Sequence, residues 1–172
     1  MSTKHLEDMP KEQLIGMLTD FAKNWLAHDG LWFQAVERQC DMETAIKLDT
    51  EAWEIFTKIE AKRIMARHDI PENGGLEALK EALKYRLYSV LNEQTVTEET
   101  NNSFVFKMVK CRVQSARERK NLPLFPCKSV GIVEYTEFAK TIDPRIKTEC
   151  LACPPDEKDR DYYCGWKFSI DE

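Results

Sequence analysis

The sequence predicts an α+β fold, and three observations support that prediction. Apolar residues recur at helical spacing through the first 94 residues, whereas alternating β-type patterns appear only after residue 94. Hydrophobic residues make up 42% of the 172 residues and include four tryptophans, which is enough to bury a core. We therefore expect a single domain over residues 1–172. Its helical part (1–94) should pack on an α+β, cysteine-rich part (95–172) that contains a small antiparallel sheet.

Three helices are predicted in the first part. The first runs from Pro10 to Ala27 and should end at Asp29-Gly30, because glycine often terminates a helix. A long helical stretch follows over residues 31–66, with a possible break at Cys40-Asp41. After a turn at residues 71–75, leucines at helical spacing predict a third helix from Leu76 to Asn92.

The second part mixes strands with two short helices. Residues 95–100 and 103–109, separated by Asn101-Asn102, predict a β-hairpin. A basic segment, 111–120, and a later segment, 129–141, predict helices. Residues 145–151 and 162–170 predict two further strands.

Composition and charge exclude several classes of function. The chain has 25 basic and 30 acidic residues, a formal charge of −5, which disfavours nucleic-acid binding through a basic surface. No run approaches the roughly 18 apolar residues of a membrane span, and the polar N-terminus lacks the apolar region of a secretion signal. We therefore expect a cytoplasmic protein that binds neither nucleic acid nor membrane.

Five of the six cysteines follow residue 110, and clustered thiols in a reducing compartment are typical of metal or redox sites. Four thiolates suit tetrahedral zinc, with two ligands from the Cys-x-x-Cys turn and the others from separate segments. The predicted ligands are Cys127, Cys150, Cys153 and Cys164, with Cys111 as the alternative to Cys127. Reduced core thiols, an iron–sulfur cluster and a catalytic thiol stay open as alternatives. Cys40 is expected to lie outside the site.

The helical part offers candidates for a ligand pocket. His28, Trp32 and Trp53 are predicted to line a pocket between the packed layers. Asp49 and Glu60 interrupt the apolar stripe of the long helix. The common structure for such residues is a salt bridge at the edge of a core, and Arg63 and Arg67 are the expected partners.

Several motifs carry a resemblance to known families. They are Cys111-Arg-Val-Gln-Ser-Ala-Arg, Phe125-Pro-Cys127-Lys, Glu149-Cys-Leu-Ala-Cys-Pro-Pro-Asp, Tyr163-Cys-Gly-Trp-Lys-Phe and the N-terminal His28-Asp-Gly-Leu-Trp-Phe. Together they resemble an uncharacterised prokaryotic family of unknown function over nearly the whole chain.

The C-terminal half is also distantly similar to two described groups. Cys111, Cys127 and Cys164-Gly-Trp-Lys-Phe168 resemble the pattern of the 2-aminothiazoline-4-carboxylate hydrolase-like family. The 4-vinyl reductase-type ligand-binding domains hold zinc with four ligands, and the resemblance implies those roles for Cys127, Cys150, Cys153 and Cys164. The gap between Cys153 and Cys164 is longer than is usual there.

These observations favour a small-ligand-binding or sensor-type protein with a structural, cysteine-ligated zinc site. The alternative is a hydrolase of a small cyclic amino-acid-like substrate, which would use a cysteine or a metal-bound water. A closed four-thiolate site would favour the first function, and three protein ligands with an open position would favour the second. Whether the chain forms a homodimer stays open.

Overall fold

The computed structural model describes residues 3–157 and 160–171, and within them the chain forms seven helices and four strands. The helices are α1 (Lys4–Glu7), α2 (Lys11–Gln39), α3 (Met42–His68), α4 (Gly75–Leu83), α5 (Leu87–Leu91), α6 (Arg112–Arg119) and α7 (Lys128–Ile142). The strands are β1 (Glu93–Thr97), β2 (Ser103–Lys110), β3 (Lys147–Ala152) and β4 (Cys164–Ser169). The first five helices precede the sheet, so the predicted α+β class is confirmed.

Helix α2 continues through the position at which the sequence predicted its end. Gly30 lies inside the helix, which runs on to Gln39. Phe33 packs against Phe125 with ring centroids 4.6 Å apart. Such tertiary packing outweighs the cost of about 1 kcal/mol that glycine imposes on a helix interior. The predicted break at Cys40-Asp41 is confirmed, since the Asp41 carboxylate accepts a 2.7 Å hydrogen bond from the Thr44 amide and caps α3.

The predicted third helix is divided into α4 and α5. The chain leaves helical geometry at Arg86, whose backbone is extended (φ −68°, ψ 149°) and whose side chain is only 2% exposed. Its guanidinium forms ion pairs with Glu60 on α3 and Glu134 on α7. The leucine spacing alone gave no sign of this break, because the spacing does not reveal which basic residue is buried.

The four strands form one antiparallel sheet in the order β1-β2-β4-β3. The predicted hairpin is β1 and β2, and the two later predicted strands are β3 and β4. Cys164 pairs with Met108 at one end of β4, and Cys150 on β3 pairs with Trp166. The register shifts between Cys150 and Ala152, at an irregularity just before Cys153.

Helix α7 lies between α3 and the sheet, and the main core forms around it. The largest fully buried side chains of this core include Leu79, Phe104, Phe138, Trp166 and Phe168. Gly131 lets α7 approach the sheet closely, because a Cβ atom at this position would lie 2.8 Å from the Trp166 ring. On the other side of α7, the Thr57 hydroxyl of α3 donates a 3.1 Å hydrogen bond to the Glu134 carbonyl.

The apolar face of α2 is only partly covered. Trp25 packs against Trp53 and Phe56 of α3, whereas Leu18 and Phe21 are 62% and 60% exposed. Within residues 3–157 and 160–171, no helix is both long enough and apolar enough to cross a membrane.

Candidate functional site

Four cysteines from three separate segments meet around the buried Cys153. The Cys153 sulfur lies 3.6 Å from the Cys127 sulfur, and the thiols of Cys150 and Cys164 are near enough to raise the pKa of Cys153. These are the four residues that the sequence predicted as one set. The structure therefore brings that set together, with Cys153 at its centre and 1% exposed.

Backbone hydrogen bonds hold these segments in place. Cys127 immediately precedes α7, and the amide of Lys128 donates a 3.0 Å hydrogen bond to the carbonyl of Pro154, which joins the start of α7 to the turn after Cys153. On the sheet side, the amide of Tyr163 donates a 2.8 Å hydrogen bond to Met108, which fixes the start of β4 and Cys164 with it.

The thiols differ in pKa because hydrogen bonds connect them. Hydrogen bonds from the Cys153 thiol and from the Gln114 amide to the Cys127 sulfur lower the pKa of Cys127. The same contacts with neighbouring sulfurs raise the pKa of Cys153, which makes Cys153 the proton donor of the group. Gln114 is 1% exposed, and its amide also exchanges hydrogen bonds with the backbone of Phe125. A thiolate at Cys127 therefore has a positioned hydrogen-bond donor.

The remaining cysteines have different surroundings. Cys111 caps α6, and burial raises the pKa of its thiol to about 12, so it stays protonated. Cys40 is exposed at the end of α2. All six cysteines are free thiols. Among residues 3–157 and 160–171, no three or more His, Cys, Asp or Glu side chains are arranged as a preformed metal-ion site.

A cavity of about 390 Å³ lies between the helices and the sheet, beside the cysteines. Three of the four clustered cysteines line it, namely Cys127, Cys153 and Cys164, and Cys111 lies on the same wall. Aromatic side chains cover much of the rest: Phe33, Trp53, Tyr88, Phe125, Tyr135 and Trp166. The cavity has the size and apolar character of a small-molecule site.

Of the three residues predicted for the pocket, Trp53 lines the cavity, and His28 and Trp32 do not. Trp53 is buried and lies on the cavity wall, stacked on Tyr88 with ring centroids 5.9 Å apart. Trp32 is 55% exposed and lies outside the residues that line the cavity. His28 is also exposed and outside the wall, next to Asp29, which does line it.

Two carboxyl groups on the cavity wall form no ion pair within the described part of the chain. Asp49 of α3 is largely buried, and desolvation, together with the nearby charges of Asp29 and Glu134, raises its pKa to about 7. The indole of Trp53 lies close to Asp49 and opposes this rise of the pKa. Asp29 faces it from α2, and burial raises the pKa of Asp29 as well. The expectation that Arg63 or Arg67 pairs with Asp49 was therefore wrong.

Glu60 does form an ion pair, but its partner is Arg86. The Arg86 guanidinium lies 2.8 Å from Glu60 and 2.7 Å from Glu134, and it lies over the ring of Phe138 at 4.6 Å. One cation thus faces two buried carboxylates, and burial raises the pKa of Glu134. Glu134 also lines the cavity, so this ion-pair group forms part of its wall.

Sequence reasoning missed Asp29, Tyr88 and Glu134 as residues of the cavity. Asp29 was assigned to a helix end because Gly30 follows it. Once α2 continues to Gln39, Asp29 falls one turn before Phe33 on the face that points inward. That continuation of apolar spacing beyond Gly30 is the signal that could have identified it.

The comparison with protein families gives a match over nearly the whole chain. The model of a family described as Family of unknown function (DUF6125) matches residues 7–170. No curated protein matches the chain. The expected distant similarity to the hydrolase-like and vinyl reductase-type groups is not shown by these comparisons.

Proposed function

The chain belongs to the Family of unknown function (DUF6125), and we propose that it is a cytoplasmic small-ligand-binding or sensor-type protein with a structural zinc site beside its cavity. The observation that carries this proposal is the cavity of about 390 Å³, which has an aromatic wall and three clustered cysteines along one side. A cavity of this kind is large enough to enclose most of a small organic molecule.

The sulfur geometry supports a zinc ion held by Cys127, Cys150, Cys153 and Cys164. Two thiolates on one tetrahedral zinc ion, each at about 2.3 Å, lie about 3.8 Å apart. Cys127 and Cys153 are 3.6 Å apart, and Gln114 donates a hydrogen bond to the Cys127 sulfur, as an outer-shell group would. Since the described residues form no preformed metal site, zinc binding would draw the outer sulfurs toward Cys153 and displace its proton.

A neutral fluorescent dye, N-phenyl-1-naphthylamine, tests the cavity. We expect the dye to bind the wild-type protein with enhanced emission. Ala116→Trp, which places an indole on the cavity wall, should weaken that binding at least tenfold. The matched control is Ala52→Trp on the exposed side of α3, which should bind the dye as the wild type does. A folded wild-type protein that does not bind the dye, or equal binding by both variants, would contradict the proposal.

The alternative, a hydrolase of a small cyclic amino-acid-like substrate, is favoured by one observation: Cys127, Cys153 and Cys164 line the cavity. A metal ion held there could be reached by a bound molecule. X-ray absorption at the zinc edge separates the two functions. A shell of four sulfurs supports a structural site, and a shell of three sulfurs with one oxygen supports the hydrolase.

A further inference from the structure

Two hydrogen-bond donors on the cavity wall, the indole nitrogen of Trp166 and the hydroxyl of Tyr135, have no hydrogen-bond partner in the described part of the chain. The indole nitrogen is fully buried, in a residue that is 1% exposed. The Tyr135 hydroxyl belongs to a residue that is 5% exposed, and it makes no hydrogen bond among residues 3–157 and 160–171. Buried polar groups are nearly always hydrogen-bonded, so each donor calls for an acceptor that these residues do not supply.

The two donors are held in the same part of the wall by their rings. Tyr135 of α7 stacks on Trp166 of β4, with ring centroids 4.7 Å apart and an angle of 27° between the planes. Gly131, one turn before Tyr135, makes room for this stack, because a Cβ atom there would lie 2.8 Å from the Trp166 ring. All three residues line the cavity. The stack therefore places an N–H group and an O–H group side by side on a largely aromatic wall.

One acceptor oxygen can satisfy both donors. A carbonyl oxygen has two lone pairs and no hydrogen, so it can accept from Trp166 and Tyr135 at once. A water molecule accepts in the same way, but its own two hydrogens then need acceptors as well. The rings of Phe106 and Phe168, which lie next to Tyr135, have no oxygen or nitrogen to offer them. A carbonyl group therefore suits this pair of donors better than water does.

The charges of the wall favour a neutral molecule over an ion. Beside the donors, Arg86 lies over the Tyr135 ring at 5.4 Å, but an ion pair of 2.7 Å already binds it to Glu134. Five basic residues line the cavity: Arg117 is bound to Glu37 through both terminal nitrogens, and the other four are exposed. Three acidic residues line it as well. An ion of either sign would thus meet like charges on this wall, whereas a neutral molecule would not be repelled.

We propose that the cavity binds a neutral molecule with an apolar or aromatic body and a carbonyl group, whose oxygen accepts hydrogen bonds from Trp166 and Tyr135. This inference rests on the proposed ligand-binding function and names its class of ligand. The aromatic wall contacts the body of the molecule, and it includes Trp53 and Tyr88, whose ring centroids lie 5.9 Å apart. The carbonyl group fixes the orientation of the ligand, as the few polar contacts of a small-molecule site usually do.

Three naphthalene compounds of similar size test this inference by displacement of N-phenyl-1-naphthylamine. 2-Acetylnaphthalene carries a ketone, 2-isopropenylnaphthalene has a methylene group in place of the ketone oxygen, and 2-naphthoate is an anion. We expect the ketone to displace the dye from the wild type at a concentration at least fivefold lower than either of the other compounds. The reason is that one hydrogen bond between neutral groups contributes a factor of about five to affinity.

Tyr135→Phe removes one donor and keeps the ring. The ratio of the displacing concentrations, alkene to ketone, should fall about fivefold in this variant, and the affinity for the alkene should stay as in the wild type. Tyr85→Phe is the matched control, because it removes a hydroxyl that donates to Glu81 and lies outside the residues that line the cavity. The control should keep the wild-type ratio.

Nuclear magnetic resonance tests Trp166 without a substitution in the core. In protein labelled with nitrogen-15 at tryptophan, the ketone should move the indole N–H proton signal of Trp166 downfield, because a hydrogen bond to oxygen deshields the donated proton. The alkene should move it less. Trp25→Phe, Trp32→Phe and Trp53→Phe assign the four indole signals by elimination. If Tyr135→Phe does not fold, this signal still decides the question.

Several results would overturn the inference. Equal displacement by the ketone and the alkene, or an unchanged ratio in Tyr135→Phe together with an unmoved Trp166 signal, would reject the carbonyl site and leave the ligand cavity intact. Tighter binding of 2-naphthoate would reject the neutral class and assign an anion to the cavity. A folded wild-type protein that does not bind the dye would reject the proposed function itself, so the two failures are distinguishable.

Discussion

Two groups of charged side chains each include one acidic residue of α3, Glu60 in the first and Asp49 in the second, and their surroundings are opposite. Around Glu60, the charges are enclosed: Arg86 is 2% exposed and lies between two carboxylates and several aromatic rings. Around Asp49, about three helical turns away, the carboxyls of Asp49 and Asp29 line a cavity and form no salt bridge in the described part of the chain. The comparison teaches that the first set joins three segments of the fold through ion pairs, whereas the second lies open to the cavity.

The largest expected effect comes from the cysteine cluster, which lies where the core meets the cavity. Cys153→Ser should abolish zinc binding and lower the melting temperature by about 10 °C or more, because the binding energy of a structural metal is folding energy. Cys40→Ser, a substitution at an exposed thiol, should change neither quantity appreciably. Calorimetry and elemental analysis measure both. Small and equal effects in the two variants would contradict the zinc assignment.

The enclosed charges provide the next largest effect. Arg86→Met should cost about 3–5 kcal/mol in the free energy of unfolding, since it leaves Glu60 and Glu134 buried without a cation. Urea denaturation measures this cost, with Arg63→Met on the exposed side of α3 as the control. Adding Glu60→Gln and Glu134→Gln to Arg86→Met should recover part of the loss. If the Arg86→Met protein were as stable as the control, the ion pairs of Arg86 with Glu60 and Glu134 would not stabilise the fold, and the contrast with Asp49 would be wrong.

Removing the charge of Asp49, in the set that lines the cavity, should change the free energy of unfolding less, and it should raise stability rather than lower it. A carboxyl whose pKa is raised on folding binds protons more tightly in the folded state, so its contribution to stability is present below about pH 4 and is lost as pH rises to about 7. Asp49→Asn should therefore leave stability nearly unchanged at pH 4 and increase it by about 2 kcal/mol at pH 8.

Urea denaturation of wild type and Asp49→Asn across this pH range checks the sign and the magnitude. The Glu51→Gln variant serves as control, because that exposed carboxylate lies on the same helix. Loss of stability in Asp49→Asn at pH 8 would indicate that Asp49 has a compensating partner and belongs with the enclosed set.

Local patterns predicted most elements of the fold, and long-range packing decided where the prediction failed. The hairpin of β1 and β2 and the helices α6 and α7 follow from alternation and helical spacing that a short window contains. The continuation of α2 through Gly30 depends on Phe125, which is distant in sequence from Phe33. Likewise, the break before α5 depends on Arg86 reaching two other helices.

The site divides in the same way. Cysteine is uncommon, so its four clustered positions were visible from residue type and spacing alone. Acidic residues are abundant, and nothing in the sequence separates Asp29 or Glu134 from the other 28 acids. Their role depends on which face of a helix points into the cavity and on what faces it there. Trp53 could be predicted as a pocket residue because it belongs to an inward apolar stripe, whereas Trp32 lies on an outward face.

Gly131 connects the dimensions of the cavity to those of the cysteine cluster. It lies one turn after Cys127 and one turn before Glu134, and it is the point at which α7 touches the Trp166 ring of β4. A single methyl group there would push the helix and the sheet apart, and the shift would reach the sulfurs of Cys127 and Cys164 on either side. The size of the residue at position 131 therefore affects the whole site. A variant that adds a side chain there would change the distances between the sulfurs and the volume of the cavity together.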